Sequence, residues 1–241
     1  MEKTELKLEY KICDENIGGI PVIIVAAGSA SRMNGTDKQL MPLVGIPVIV
    51  RTMQAFENSK DISRIILVTK KESINEIQLL AEKYMISKLS DIVCGGENRH
   101  KSVLCGIKML KSTEETVLIH DGARPFVTER IISDCVSALE SNDACLAAIK
   151  INDTVKLAGE DNFVTGTLDR SLLYSAQTPQ GVNVKKYKEA LNLPHTEEFT
   201  DDASVMESAG FRVKIVKGSK TNIKITTVDD IAFAQAVIRS M

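Results

Sequence analysis

From residue 21 onward, short runs rich in Val and Ile alternate with longer segments whose apolar residues recur every three or four positions. The short runs are typical of buried strands, and the three-to-four spacing is typical of helices that bury one face. Strands that alternate with helices favour a mostly parallel sheet with helices on both faces. We therefore expect an α/β fold with strands at residues 22–27, 64–69, 91–95, 116–121 and 144–151.

Apolar stripes between these strands predict the helices. One stripe is formed by Ile49, Met53 and Phe56, and similar stripes follow at residues 74–84, 103–110 and 131–139. Two helix starts carry capping residues: Thr128, and Thr227 with Asp230 three positions later, which is the spacing of a capping box.

One stretch departs from the alternation. Residues 154–158 and 163–168 have the pattern of a β-hairpin around a Gly-Glu-Asp-Asn turn, with few apolar residues. An isolated two-stranded hairpin is marginal in water, so we expect this one to pack on a second subunit and to form a homodimer.

Composition narrows the class of protein. The 241 residues carry a net charge of -2 and five cysteines without a C-x-x-C pair. The charge gives no general attraction for nucleic acid, and the cysteines favour free thiols in a reducing compartment. With no signal peptide and no apolar run of membrane-spanning length, we expect a cytoplasmic protein that binds neither nucleic acid nor membrane. Residues 1–19 are expected to be an N-terminal extension and residues 20–241 a single domain.

A loop of small residues, 26–33, directly follows the first strand. Such a loop lets backbone N–H groups approach an anion, and Arg32 and Lys38 would add two cations for a polyphosphate. The dinucleotide fingerprint is not met, because Ala30 and Met33 stand at two of its glycine positions, and the P-loop Lys-Ser/Thr is missing too. A tight turn with two solvated charges is the alternative.

Asp121 ends an apolar strand, which places a carboxylate at the edge where α/β sheets bind ligands. A lone carboxylate there suits Mg²⁺, which completes its shell with water and substrate phosphates. The alternative is a turn residue that bonds its own backbone before Gly122. His120 points to the opposite face of the strand and is expected to lie in the core.

Weaker signals surround these two. Gly95 and Gly96 permit a close approach to a flat ligand, and Ser102 could cap the next helix or donate to a base. Taken one by one, the polar segments at 153–154, 169–170, 178–180 and 222–224 are more typical of ordinary surface.

In combination, these segments resemble the 2-C-methyl-D-erythritol 4-phosphate cytidylyltransferase family. The resemblance runs from about residue 21 to the C-terminus. It rests on AAG-x-x-x-RM at 26–33, KQ at 38–39, GG-x-x-R-x-x-SV at 95–103, HDGARPF at 120–126, DTVK at 153–156, LDRSLLYSAQTPQ at 168–180, TDDAS at 200–204 and NIKIT at 222–226.

The resemblance implies a Rossmann-like nucleotidyltransferase fold whose protruding hairpin, here called the arm (residues 151–174), reaches across a homodimer. It also implies the reaction. The phosphate of 2-C-methyl-D-erythritol 4-phosphate attacks the α-phosphorus of CTP, and pyrophosphate leaves with Mg²⁺.

Residue roles follow from the same resemblance. Arg32, Lys38 and Lys224 would be catalytic, and Asp121 would hold the metal. The cytidine site would be lined by Ala26, Ala27, Gly28, Gly96, Glu97 and Ser102, and the acceptor phosphate would be approached by Arg124, Thr178 and Lys224, with Thr154 and Arg170 from the partner's arm.

Two alternatives stay open. A ribitol 5-phosphate cytidylyltransferase would share most of the fold, although Asp169-Arg170 resembles the methylerythritol type. A non-catalytic nucleotide-binding protein is disfavoured because Arg32, Lys38, Asp121 and Lys224 are all present.

Overall fold

A computed structural model describes residues 18–28, 38–194 and 199–240. Its centre is a seven-stranded sheet in the order β11-β7-β10-β6-β1-β4-β5. The strands are β1 (Ile20–Val25), β4 (Ile62–Thr69), β5 (Leu89–Cys94), β6 (Thr116–Asp121), β7 (Ala144–Lys150), β10 (Tyr174–Asn183) and β11 (Val213–Lys217), and two short strands, β2 (Pro42–Leu43) and β3 (Ile46–Pro47), form a separate ribbon.

The sheet is mostly parallel, as predicted. β1 pairs in parallel with both β4 and β6, and β4 with β5, while β10 runs antiparallel between β6 and β7. All five predicted strands are present, with ends shifted by one or two residues at most. The sequence pattern did not indicate β10 and β11, because both mix polar and apolar residues without a clear run.

Helices cover both faces of the sheet. They are α1 (Val48–Glu57), α2 (Ile74–Lys83), α3 (Arg99–Ile107), α4 (Glu129–Leu139), α5 (Val184–Leu191), α6 (Asp202–Ser208) and α7 (Val228–Arg239). Alternate residues of β1 separate the two cores, since Val22 and Ile24 face one cluster and Ile23 and Val25 face the other.

Both predicted helix starts are confirmed. Thr128 Oγ1 accepts a hydrogen bond from the Ile131 N–H at 3.4 Å at the start of α4. At the start of α7, Asp230 Oδ2 accepts one from the Thr227 N–H at 2.8 Å, which is half of the expected capping box.

The arm carries the predicted hairpin. Its strands are β8 (Lys156–Ala158) and β9 (Val164–Thr167), and they pair antiparallel around a turn at residues 159–162. Large apolar side chains on this hairpin face solvent within the single chain, with Phe163 73% exposed and Val164 62% exposed. None of the helices in the described ranges is long and apolar enough to cross a membrane.

The topology determines where a ligand can bind. The chain passes from β1 to β4 and β5 on one side, and then returns to place β6 on the other side of β1. A crevice forms at the carboxyl ends of the strands where the order reverses. β1 and β6 therefore direct the loops after Val25 and Asp121 to the same crevice.

Candidate active site

A cavity of about 580 Å³ lies at this edge of the sheet. Loops from distant parts of the chain meet there, and eight of the predicted site residues line it. They are Ala27, Gly28, Lys38, Gly96, Glu97, Ser102, Asp121 and Lys224. Ala26, the first residue of the loop after β1, is buried, and Arg32 lies outside the described residues.

The glycine loop after β5 packs closely against the loop after β1. A Cβ on Gly95 would come within 2.3 Å of the Ala27 Cβ, so glycine is required for the two loops to touch. The Gly96 N–H donates to Ser102 Oγ at 3.1 Å, and Ser102 Oγ donates to the Asn98 carbonyl at 2.9 Å. Ser102 thus holds the loop in shape and is not the helix cap, which is Asn98.

Asp121 lies at the centre of a cluster of three cations. Its Oδ2 is 2.8 Å from Lys224 Nζ and 3.5 Å from Arg124 Nε, and its Oδ1 is 3.2 Å from Arg99 Nε. Burial by itself raises the pKa of Asp121, but Lys224, Arg99 and Arg124 outweigh it and hold the pKa well below its usual range. The carboxylate is therefore ionised at any physiological pH.

Arg99 joins Asp121 to a second carboxylate. Its Nη2 lies 2.7 Å from Oδ2 of Asp202, which is fully buried at the start of α6. Burial lowers the pKa of Arg99, and the two carboxylates raise it above its ordinary value, so the guanidinium stays charged. Sequence patterns assigned no role to either residue, although Arg99 lies in the GG-x-x-R motif and Asp202 in TDDAS.

Arg124 lies behind Asp121 and is largely buried. Its Nη1 donates to the Asn222 carbonyl at 2.8 Å, whereas its Nε is buried without a hydrogen-bond partner among the described residues. The pKa of Arg124 is lowered from its ordinary value, because the effect of burial is larger than the opposing effect of the Asp121 charge. Arg124 ties the segment that carries Lys224 to the loop after β6.

His120 is buried, as expected, and is linked to the backbone of Asp121 through the Thr178 hydroxyl. Its Nε2 lies 3.1 Å from the Arg124 carbonyl, and its Nδ1 lies 3.0 Å from Thr178 Oγ1. The same Thr178 oxygen accepts a hydrogen bond from the Asp121 N–H at 3.1 Å. Burial lowers the pKa of His120 to about 4, so the ring is neutral at pH 7. A neutral ring that donates from Nε2 satisfies both contacts.

Thr178 is buried in the sheet and does not line the cavity. Its hydroxyl is already engaged by His120 and by the backbone of Asp121. The predicted contact of Thr178 with the acceptor phosphate stays a prediction, and the geometry shows an indirect link through Asp121.

Two buried glutamines on β10 fix the loops around the cavity. Gln177 Oε1 accepts from the Ser219 N–H at 3.2 Å, and its Nε2 donates to the Ser219 carbonyl at 2.8 Å. Gln180 Oε1 accepts from the N–H groups of Asp202 and Ala203, both at 2.9 Å. The two glutamines of the QTPQ motif therefore fix, through backbone hydrogen bonds, the two segments that carry Lys224 and Asp202.

The two predicted arm residues lie apart from this cluster. Thr154 and Arg170 are exposed and do not line the cavity of their own chain. Arg170 Nη1 donates to the Asn152 carbonyl at 2.8 Å within the arm. Within one chain, the structure therefore does not bring them together with Asp121.

The fold and the cavity define a class of enzyme. A glycine-rich loop, a small-residue loop and a cation cluster at the carboxyl edge of a mostly parallel sheet are the features of an α/β nucleotidyltransferase. The comparisons with known proteins give the particular family.

Residues 20–240 match the model of the 2-C-methyl-D-erythritol 4-phosphate cytidylyltransferase family. Proteins of that name from Clostridium novyi and Halalkalibacterium halodurans are each 40% identical to this chain, over 91% and 90% of it and 96% of each relative. A crystal structure of 4-diphosphocytidyl-2C-methyl-D-erythritol synthase from Anaerococcus prevotii superimposes with a TM-score of 0.80 at 34% identity, covering 93% of this chain and all of that one. The chain belongs to the 2-C-methyl-D-erythritol 4-phosphate cytidylyltransferase family.

Proposed function

We propose that this protein transfers the cytidylyl group of CTP to 2-C-methyl-D-erythritol 4-phosphate, a step in the synthesis of isoprenoid precursors. A phosphate oxygen of the acceptor forms a bond to the α-phosphorus of CTP. The bond from that phosphorus to the bridging oxygen of the β-phosphate breaks, and pyrophosphate leaves. The products are 4-diphosphocytidyl-2-C-methyl-D-erythritol and pyrophosphate.

The cation cluster around Asp121 carries this proposal. The reaction joins two anions, and a pair of unit charges 4 Å apart repels by about 4 kcal/mol at an effective dielectric constant of 20. Catalysis of such a step depends on positioning and on cations aimed at the phosphates. Lys38 and Lys224 line the cavity, and Arg99 and Arg124 lie beside Asp121.

The glycine loop is suited to the nucleoside. The close packing of Gly95 on Ala27 leaves backbone groups of residues 96–98 at the cavity wall, where a flat base can approach them. We assign the cytidine to this side of the cavity, which is lined by Ala27, Gly28, Gly96, Glu97 and Ser102, with Ala26 behind it. The triphosphate then extends toward Lys38 and, in the family pattern, Arg32.

The acceptor phosphate is assigned to the other side, near Lys224. Its ammonium group is held 2.8 Å from Asp121 and is about one-third exposed, so it can turn to a phosphate without leaving the cluster. Arg124 holds the Lys224 segment through the Asn222 carbonyl. Lys224 therefore orients the attacking oxygen toward the α-phosphorus.

Magnesium is the cofactor that we propose, and the donor set fits it. Asp121 is an ionised carboxylate in the cavity wall, and Mg²⁺ takes one or two protein carboxylates and completes its shell with phosphates and water. No group of three or more acidic, His or Cys side chains is assembled in the described ranges, so an all-protein metal cage is not expected there. When bound, Mg²⁺ would neutralise charge on the triphosphate and the pyrophosphate.

We further propose that the arm completes the active site of a second copy in a homodimer. Its apolar side chains are exposed in the single chain, and such a surface is stabilised when a partner covers it. Thr154 and Arg170 are absent from their own cavity, so they can contact the acceptor only from a neighbouring subunit. The four described cysteines are free thiols, which agrees with the cytoplasm as the place of action.

The direct test is pyrophosphate release by the purified full-length protein with CTP and Mg²⁺. The acceptors 2-C-methyl-D-erythritol 4-phosphate and ribitol 5-phosphate are offered in parallel, with UTP and ATP as nucleotide controls. We expect release with CTP and the first acceptor only. Preference for ribitol 5-phosphate would overturn the acceptor assignment, and silence with every pair would overturn the enzymatic proposal.

A further inference from the structure

Asp202 is a buried carboxylate that the capping of its helix does not require. Its Oδ1 accepts a hydrogen bond from the Tyr187 hydroxyl at 2.8 Å, and its Oδ2 lies 2.7 Å from Arg99 Nη2. The helix cap is Asp201, whose side chain accepts from the Ser204 N–H. Burying a carboxylate is costly, and an apolar pair often stabilises a core equally well. The cost of burying Asp202 therefore points to a role beyond folding.

The geometry of Arg99 suggests that role. In a guanidinium, Nε–H and one Nη2–H point the same way and together bind a single carboxylate side-on. In this protein that pair is divided, with Nη2 at 2.7 Å from Asp202 and Nε at 3.2 Å from Asp121. Asp202 takes the shorter of the two Arg99 contacts, and Asp121 keeps the longer one through its Oδ1.

Tyr187 holds the Asp202 carboxylate in its orientation toward Arg99. It is fully buried on α5 and donates to the Asp202 oxygen that Arg99 does not use. The Asp202 N–H donates to Gln180 Oε1 at 2.9 Å, so the backbone is held as well. Asp202 cannot follow Arg99 toward the cavity without breaking these bonds.

We propose that Asp202 and Tyr187 are positioning residues that hold Arg99 away from side-on pairing with Asp121 and so keep the Asp121 carboxylate available to a divalent cation. Without the Asp202 charge, Arg99 closes on Asp121 with both N–H groups and competes with the metal. This inference rests on the proposed function, because it concerns Mg²⁺ in the same cavity. It assigns roles to two residues that do not need to touch substrate.

The main test uses Asp202→Asn, which keeps the shape and removes the charge. We expect the Mg²⁺ concentration for half-maximal activity to rise about tenfold, the effect of losing one charged hydrogen bond. Binding of Mn²⁺ in the presence of CTP, followed by the electron paramagnetic resonance signal of the free ion, should weaken by a similar factor. The affinity for CTP measured without metal should hold or improve, because the cavity gains positive charge.

Asp143→Asn is the matched control. It removes a carboxylate that lies 2.6 Å from Lys186 Nζ, and Lys186 is on α5, the helix that carries Tyr187. This control should leave both metal readouts unchanged. A purely structural role for Asp202 predicts a lower unfolding temperature with unchanged Mn²⁺ binding, and that result would overturn the proposal.

A second variant and a double variant keep the proposal testable if Asp202→Asn fails to fold. Tyr187→Phe keeps the charge and the packing, and should weaken Mn²⁺ binding about two- to fourfold. In an Arg99→Gln background, Asp202→Asn should add no further loss, because no guanidinium remains to close on Asp121. Unchanged Mn²⁺ binding in Tyr187→Phe, or an equal loss from Asp202→Asn in both backgrounds, would refute the assigned role.

The Mn²⁺ titration needs no acceptor and no turnover, so it separates the two hypotheses. Wild-type protein that binds Mn²⁺ with CTP but releases no pyrophosphate contradicts the proposed function alone. Active wild-type protein whose variants keep normal metal binding contradicts the positioning role alone.

Discussion

Lys224 Nζ lies 2.8 Å from Oδ2 of Asp121, although the two residues are far apart in the sequence. Two hydrogen bonds to backbone carbonyls bring them together: the Ile225 N–H donates to the Ala123 carbonyl at 2.8 Å, and Arg124 Nη1 donates to the Asn222 carbonyl at 2.8 Å. The lysine is therefore placed by the same loop that presents the carboxylate. This coupling fixes the position of the Lys224 segment relative to Asp121.

Lys224→Ala should reduce kcat/KM for 2-C-methyl-D-erythritol 4-phosphate by about 10²–10³-fold, the usual effect of removing one charge that stabilises a transition state. The KM for CTP should change little, because Lys224 is assigned to the acceptor side. Steady-state pyrophosphate release with each substrate varied in turn measures both. Lys220→Ala removes an exposed lysine of the same segment and should behave as wild type. Acceptor kinetics of Lys224→Ala within twofold of wild type would contradict its role.

Lys38→Ala should depress turnover by about 10²–10³-fold with a modest loss of CTP binding. The reason is that the Lys38 charge stabilises the transition state most strongly, when negative charge develops on the leaving pyrophosphate. Single-turnover rates, together with CTP affinity from calorimetry, separate the two effects. A variant that loses CTP binding while a saturating concentration restores normal turnover would show that Lys38 only binds the ground state.

The sequence was most informative where a site residue depends on its own segment. Asp121 ends an apolar strand, and the glycines at 95 and 96 follow another, so their positions at the edge of the sheet could be predicted from local pattern. The predicted β6 matches the observed strand at both ends. Local capping chemistry likewise identified the starts of α4 and α7.

Contacts made by tertiary structure could not be predicted in this way. Arg99 and Asp202 are 103 positions apart, and nothing in either segment indicates that they pair. Gln180 lies in a segment whose pattern was typical of ordinary surface, and no local pattern singled out Gln177, because β10 lacks a continuous apolar run. Their partners are backbone groups of other loops, which only the assembled sheet brings within reach. Long-range pairing of this kind leaves no periodic signal in the sequence.

If the arm completes the active site of the partner subunit, two variants with different defects should complement each other in a mixed dimer. Arg170→Ala should mainly raise the KM for the acceptor phosphate, and Lys38→Ala should remove turnover. In a symmetric dimer whose arms reach across, a mixed dimer contains one site with both defects and one site with neither. An equal mixture should therefore recover about a quarter of wild-type activity, given random reassociation of the subunits.

The recovery is measured after the two variants are unfolded together and refolded, and it is compared with each variant treated alone. Lys156→Ala, an exposed substitution elsewhere on the arm, serves as the control partner in place of Arg170→Ala. If Arg170 serves its own subunit, every site of the mixed dimer carries one defect and no activity returns.

His120 gives the folded protein a specific pH dependence. Burial lowers the pKa of its ring to about 4, whereas a solvated histidine has a pKa near 6.5. Between these values the unfolded chain binds a proton that the folded chain does not, so stability falls as the pH falls. The contribution is complete above about pH 6.5 and is lost by about pH 4, with a size of roughly 3 kcal/mol.

His120→Asn removes this titration while keeping an acceptor near Thr178. At pH 7.5 the variant should be less stable than wild type by about 1–3 kcal/mol, because the contacts with Arg124 and Phe56 are lost. Its free energy of unfolding should fall less steeply than that of wild type between pH 7 and pH 4.5. Urea unfolding in a chelating buffer, with both proteins measured at each pH, gives the difference in the free energy of unfolding directly. The contributions of the carboxylates are common to both proteins and cancel in this difference. Parallel pH curves for the two proteins would mean that the His120 ring has the same pKa in the folded and unfolded states, which contradicts the lowered pKa.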